Sequence, residues 1–154
     1  MQEQFLELIT AFLDEAGIKR TVTPGENPVS VSLGDMAFHI GLFESHRAII
    51  MQAIAGVLPS SNGEAFCMEL LRMNSLFRGT RGATLGLEGD AVTLQSFIPL
   101  DGLSKETFIA RAVAFLEALL AVMEDFDNIA RRSETEKTET LESDLLNMQN
   151  MLRI

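Results

Sequence analysis

The chain reads as an α+β protein: an antiparallel twisted sheet with helices packed on it, in the order helix, three strands, helix, two strands, helix and a C-terminal helical tail. Three observations predict this. Apolar and polar residues alternate in short runs between 29 and 55 and again between 85 and 98, the two-residue period of half-buried strands. Apolar residues recur every three or four positions at 5–13 and 105–126, the period of helices that pack by one side. A helical pattern at 64–74 interrupts the strands, and helices inserted among antiparallel strands are layered on the sheet.

The first helix carries Phe5, Leu6, Leu8, Ile9, Phe12 and Leu13 on one side, and Gly17 is placed to end it as a left-handed cap. Pro24 and Gly25 break that period. Val29, Val31 and Leu33 then alternate with Ser30 and Ser32, Gly34-Asp35 supplies a tight hairpin turn, and Phe38, Ile40 and Leu42 alternate with Ala37, His39 and Gly41. After Glu44-Ser45-His46-Arg47 a third strand spans Ala48 to Ala55, completing an antiparallel meander. The loop from Pro59 to Gly63 offers Ser61 or Asn62 as the cap of a helix over 64–74, whose apolar side holds Phe66, Cys67, Leu70, Leu71 and Met73. Gly79-Thr80-Arg81-Gly82 leads to a hairpin: Leu85 and Leu87, the turn Glu88-Gly89-Asp90, then Val92, Leu94 and Ser96 to Ile98, ended by Pro99.

Ser104 is an N-cap and Glu106 places negative charge in the first turn of the longest helix, which is expected to end near Phe126. Residues 1–130 are read as one α+β domain. Residues 131–154 are read as a polar linker or solvated helix surface followed by a short amphipathic piece, with Leu141, Leu145, Met148 and Leu152 spaced by four, three and four.

Composition narrows the function. Hydrophobic residues make up 47% and charged residues 22%, which is globular composition with length enough for one core. A net charge of −10 repels nucleic-acid phosphate and anionic headgroups, so neither nucleic acid nor membrane insertion is expected. No apolar run approaches the roughly 20 residues that span a bilayer, and the acidic start MQEQFLELITAFLDEAG lacks the basic region of a secretory signal. One cysteine, Cys67, suits a reducing cytoplasm. Eight Met with neither Trp nor Tyr lean slightly toward an adaptable binding surface.

Chemistry is sparse. His39 lies in a strand and is expected on the side away from its apolar neighbours; His46 sits in a turn, and neither forms a zinc pattern with Cys67. Cys67 lies between Phe66 and Met68 as a small buried apolar side chain rather than a nucleophile. The loop 79–82 lacks the Gly-Lys-Ser/Thr ending of a nucleotide loop. The pairs Asp14-Glu15 and Glu124-Asp125 point about 100° apart on a helix and read as solvated charge. No enzyme, metal or cofactor is expected.

The stretch from Leu70 to Phe126 resembles the Tir chaperone (CesT-like) family of type III secretion chaperones. Carrying the resemblance are Leu70-Leu71-Arg72-Met73-Asn74, Gly82-Ala83-Thr84-Leu85-Gly86-Leu87, Gly89-Asp90-Ala91-Val92-Thr93-Leu94, Ile98-Pro99-Leu100 and the helix from Ser104. The element order of residues 1–128 matches as well. Phe126 stands where the family often has Trp, and the tail after 130 extends beyond many short members. The resemblance implies an acidic cytoplasmic homodimer without nucleotide use. Each dimer would bind the extended N-terminal segment of a secreted effector protein, through strand addition and apolar grooves, and keep it soluble and export-competent.

By the same analogy the dimer interface is expected at Leu70, Leu71, Met73, Asn74, Phe77, Leu85, Leu87, Val92 and Leu94. The effector surface is expected at Phe5, Ile9, Phe12, Val31, Phe38, Ile40 and Ile50. The tail is a candidate contact for the export apparatus. The alternative reading is a non-secretory regulatory domain of similar fold that binds a protein or small ligand.

Overall fold

A computed structural model describes residues 1–60, 63–77 and 79–151, the last of them from 129 onward by backbone alone. Helix α1 (Gln2–Glu15) ends as its sequence demands. Gly17 takes φ +68°, its N–H bonds the Asp14 carbonyl, and the Ile18 N–H reaches back to the Leu13 carbonyl at 2.8 Å. These two bonds satisfy carbonyls that the helix end leaves open.

Strands β1 (Val29–Leu33), β2 (Met36–Phe43) and β3 (Ala48–Val57) form the expected meander, with a one-turn 3₁₀ helix at Glu44–His46. Helix α2 (Gly63–Asn74) and a 3₁₀ turn (Ser75–Phe77) precede the hairpin β4 (Thr84–Glu88) and β5 (Ala91–Pro99). The proposed caps Ser61 and Asn62 fall outside the described residues. All pairs are antiparallel, in the spatial order β1-β2-β3-β5-β4, so β5 inserts beside β3 and leaves β4 at the far edge.

One face of this sheet carries the core. Phe38 and Ile40 of β2, Ile49 and Met51 of β3, and Val92, Leu94 and Ile98 of β5 are sealed beneath the helices. Edge-on contacts of Phe12 with Phe38 (6.2 Å between ring centres) and with Phe108 (6.3 Å) tie α1, the sheet and the last helix together. That helix, α3 (Lys105–Met151), begins at the predicted cap: Ser104 Oγ accepts from the Thr107 N–H at 3.2 Å. Phe108, Ala112, Phe115, Leu119, Val122 and Phe126 bury its inner side. The sequence reading ended this helix near Phe126, but the backbone continues helical through Met151, across the polar stretch after Ala130.

Candidate functional site

The two edges of the sheet differ. At β4 the side chain of Asn74 lies along the strand: its Nδ2 donates to the Leu85 carbonyl (3.0 Å) and its Oδ1 accepts from the Leu85 N–H (2.8 Å). One amide side chain thereby takes the place of a neighbouring strand residue and blunts that edge. Asn27 does the same to β2, giving to the Leu42 carbonyl (2.9 Å) and accepting from its N–H (2.7 Å). Leu42 therefore points its backbone groups toward the β1 side. By alternation, Ile40 and Phe38 bond Val29 and Val31. Ser30 and Ser32 are left with N–H and C=O directed outward from the sheet, and β1 has a strand on one side only.

Among the described residues no helix lies on the other face of the sheet. Register places Ser30, His39, Gln52, Gln95 and Thr84 in one row across all five strands. Gly41, Ile50 and Phe97 form the next row. Phe43 stacks on His46 with ring centres 4.3 Å apart, and His46 meets Phe97 edge-on at 6.4 Å. An open groove runs between Pro28, His39, Gly41, Phe43, Ile50 and Gln52. Among the strand residues directed to this face the single charged side chain is Glu88, which accepts from Gln52 at 2.8 Å. In so acidic a chain, this face carries one charge and exposes Phe43, Phe97 and Ile54 to solvent.

A third surface lies at α2 and β4. Leu71, Phe77 and Leu87 are 63%, 53% and 47% exposed. A shallow groove passes between Cys67, Leu71, Asn74 and Leu87.

The residues expected in sites fall as follows. Of the effector group, Phe5, Ile9, Phe12, Val31, Phe38 and Ile40 are core, none more than 3% exposed; only Ile50 reaches the outer face. Their apolar period is the period of packing against one another, and packing uses up the surface that binding needs. Of the dimer group, Leu70, Leu85, Val92 and Leu94 are also core, Met73 packs against it, and Asn74 is committed to Leu85. Leu71, Phe77 and Leu87 remain available. Sequence reading missed Met68, Leu76, Phe43 and Phe97. The signal for the last two was there, since each sits at an outward position of an alternating strand.

His39 faces outward as expected, with Nδ1 3.0 Å from Ser30 Oγ. The loop 79–82 closes on itself: Arg81 N–H bonds the Phe77 carbonyl and Ala83 N–H the Thr80 carbonyl. The Thr80 hydroxyl is buried with no hydrogen-bond partner among the described residues. Also among the described residues, no three His, Cys, Asp or Glu converge to hold a metal, and no helix is long and apolar enough to cross a membrane.

Comparison with known proteins places this geometry. No curated protein matches the sequence. Among solved structures, a chain of the HopA1–SchA chaperone–effector complex superposes with a TM-score of 0.61 at 17% identity, over 79% of this chain and 94% of that one. The Yersinia pestis type III secretion chaperone SycH, in complex with a fragment of YscM2, gives 0.58 at 18% identity, over 77% and 98%. YbjN from E. coli, named as a candidate transcription regulator, gives 0.58 at 18%, over 80% and 92%. At these identities the likeness is one of fold. The Tir chaperone protein (CesT) family model matches residues 7–126, every element from within α1 to Phe126 of α3. The chain belongs to the Tir chaperone protein (CesT) family.

Proposed function

We propose that this protein is a cytoplasmic type III secretion chaperone, a homodimer that holds the N-terminal segment of one or more effector proteins in an extended, export-competent state. The family match over residues 7–126 carries this reading, and the geometry supports a route for the bound segment. Of the two sheet edges, Asn74 blunts one and β1 is open, so an arriving strand pairs with Ser30 and Ser32. Its alternate side chains then fall toward the helix side of the sheet on one side, and toward the outer face at His39 and Ile50 on the other. Binding of this kind relies on backbone hydrogen bonds, which suits partners of differing sequence. The role is a binding one and uses no catalysis. Two chains meet through the exposed apolar residues of α2 and β4.

The test is capture of the tagged full chain from its own bacterium, with the bound segment of each captured protein mapped by proteolysis. Secreted proteins held by an N-terminal segment are expected. The Ser32→Pro variant removes one outward N–H without breaking a ladder bond, so it keeps the fold and weakens binding about tenfold. Unchanged affinity in Ser32→Pro sinks the β1 route. Capture of folded regulators alone sinks the chaperone role and favours a regulatory one, for which the fold shared with YbjN is the observation.

A further inference from the structure

Helix α3 carries two parallel apolar stripes; the body buries one and leaves half of the other in solvent. The inner stripe, from Phe108 to Phe126, fills the core. One position round the helix lies a second: Ile109, Val113, Leu116 and Leu120, spaced by four, three and four. Leu116 and Ile109 sit where this stripe meets the core, while Val113 and Leu120 are 46% and 53% exposed. Such spacing is the seam of a helix that packs lengthwise against another helix.

The matching seam is on the same chain. Leu141, Leu145, Met148 and Leu152 repeat the spacing of four, three and four. A pattern symmetrical under reversal fits its counterpart antiparallel, with Ile109 opposite Leu152, Val113 opposite Met148, Leu116 opposite Leu145 and Leu120 opposite Leu141. In this register all four facing pairs are apolar. The tail cannot reach its own body stripe, because the helix runs unbroken from Lys105 to Met151. The 32 positions between corresponding residues separate the two seams by about 48 Å at 1.5 Å per residue. Only a second molecule brings them together.

We propose that the C-terminal part of α3 docks antiparallel on the Val113–Leu120 surface of a second copy of this chain, a reciprocal contact distinct from α2 and β4. Two-fold symmetry makes the exchange mutual: each tail covers the other body. The contact owes nothing to effector binding and is measured on the protein alone.

Two full-length chains with tags of different size, both Cys67→Ser, are mixed; one carries Val113→Cys and the other Met148→Cys. Mild oxidation is expected to give a disulfide-linked dimer of the two unlike chains on a non-reducing gel. Adding Leu120→Asp, an exposed position, to the first chain is expected to abolish the link while the circular dichroism stays unchanged. The absence of any link between unlike chains overturns the proposal. So does linkage of Val113→Cys chains to one another, which means that two body stripes pair and the tail does not cover them. In a chain carrying both cysteines, a bond closed within one monomer overturns it as well.

Discussion

At Gly56 a single hydrogen decides the packing. The chain bulges between Ile54 and Gly56, and a Cβ at Gly56 would stand 2.6 Å from Cε1 of Phe126. The Phe126 ring, itself edge-on to Phe66 at 4.5 Å, sits in the room that the missing side chain leaves. Gly56→Ala is therefore expected to lower stability by about 1–3 kcal/mol through overpacking, measured by denaturant unfolding, and Phe126→Leu is expected to recover part of the loss. Asn74 makes the complementary point. As one of several residues in a helix end it looked like an interface position, yet its amide is spent on Leu85. No pattern in the sequence distinguishes an asparagine that meets a partner from one that clasps its own strand, because the difference lies in what the chain brings alongside it eleven positions on.

Elements behave as their local chemistry requires where that chemistry is local. The start of α3 is an example. The Glu106 carboxyl is held below the usual carboxylate range by its own backbone N–H, then by the Ser104 hydroxyl. A depressed carboxylate contributes stability above its unfolded pKa and loses it as pH falls through the folded value. A carbon-detected titration is expected to show a Glu106 midpoint below that of an unstructured glutamate, and Ser104→Ala to move it upward. A midpoint indifferent to Ser104 would refute the Ser104–Glu106 hydrogen bond. The strands are equally legible, since alternation alone placed β1, β2 and the hairpin β4–β5 within a residue or two. The end of α3 was not. Polar residues after Ala130 are as compatible with a solvated helix as with a linker, and the backbone takes the helix.

At the scale of the molecule, the described residues form a sheet with helices on one face, an open edge at β1 and an apolar patch at α2 and β4. That asymmetry leaves two kinds of surface, an open strand edge and an exposed apolar patch, for the two contacts proposed above. The dimer reading is tested at Leu71. Because the side chain is 63% exposed, Leu71→Asp is expected to leave the fold intact and convert the dimer to monomer in sedimentation velocity. Leu85→Asp tests nothing of the kind, for Leu85 is core and a carboxylate there is expected to destabilise the fold itself. A stable dimer in Leu71→Asp would remove α2 from the interface.

By itself the sequence determined the element order, the turn glycines, the helix cap at Ser104 and the family. Each of these rests on periodicity or on residues adjacent in the chain. Only the tertiary structure decided which apolar residues are surface. Phe38 and Phe97 carry the same kind of side chain in alternating strands, and one is sealed while the other stands half in solvent. The insertion of β5 between β3 and β4 and the clasp of Asn74 on Leu85 both follow from contacts between residues far apart in sequence. Burial is a property of what lies across the gap, and a local pattern records only that something apolar must lie there.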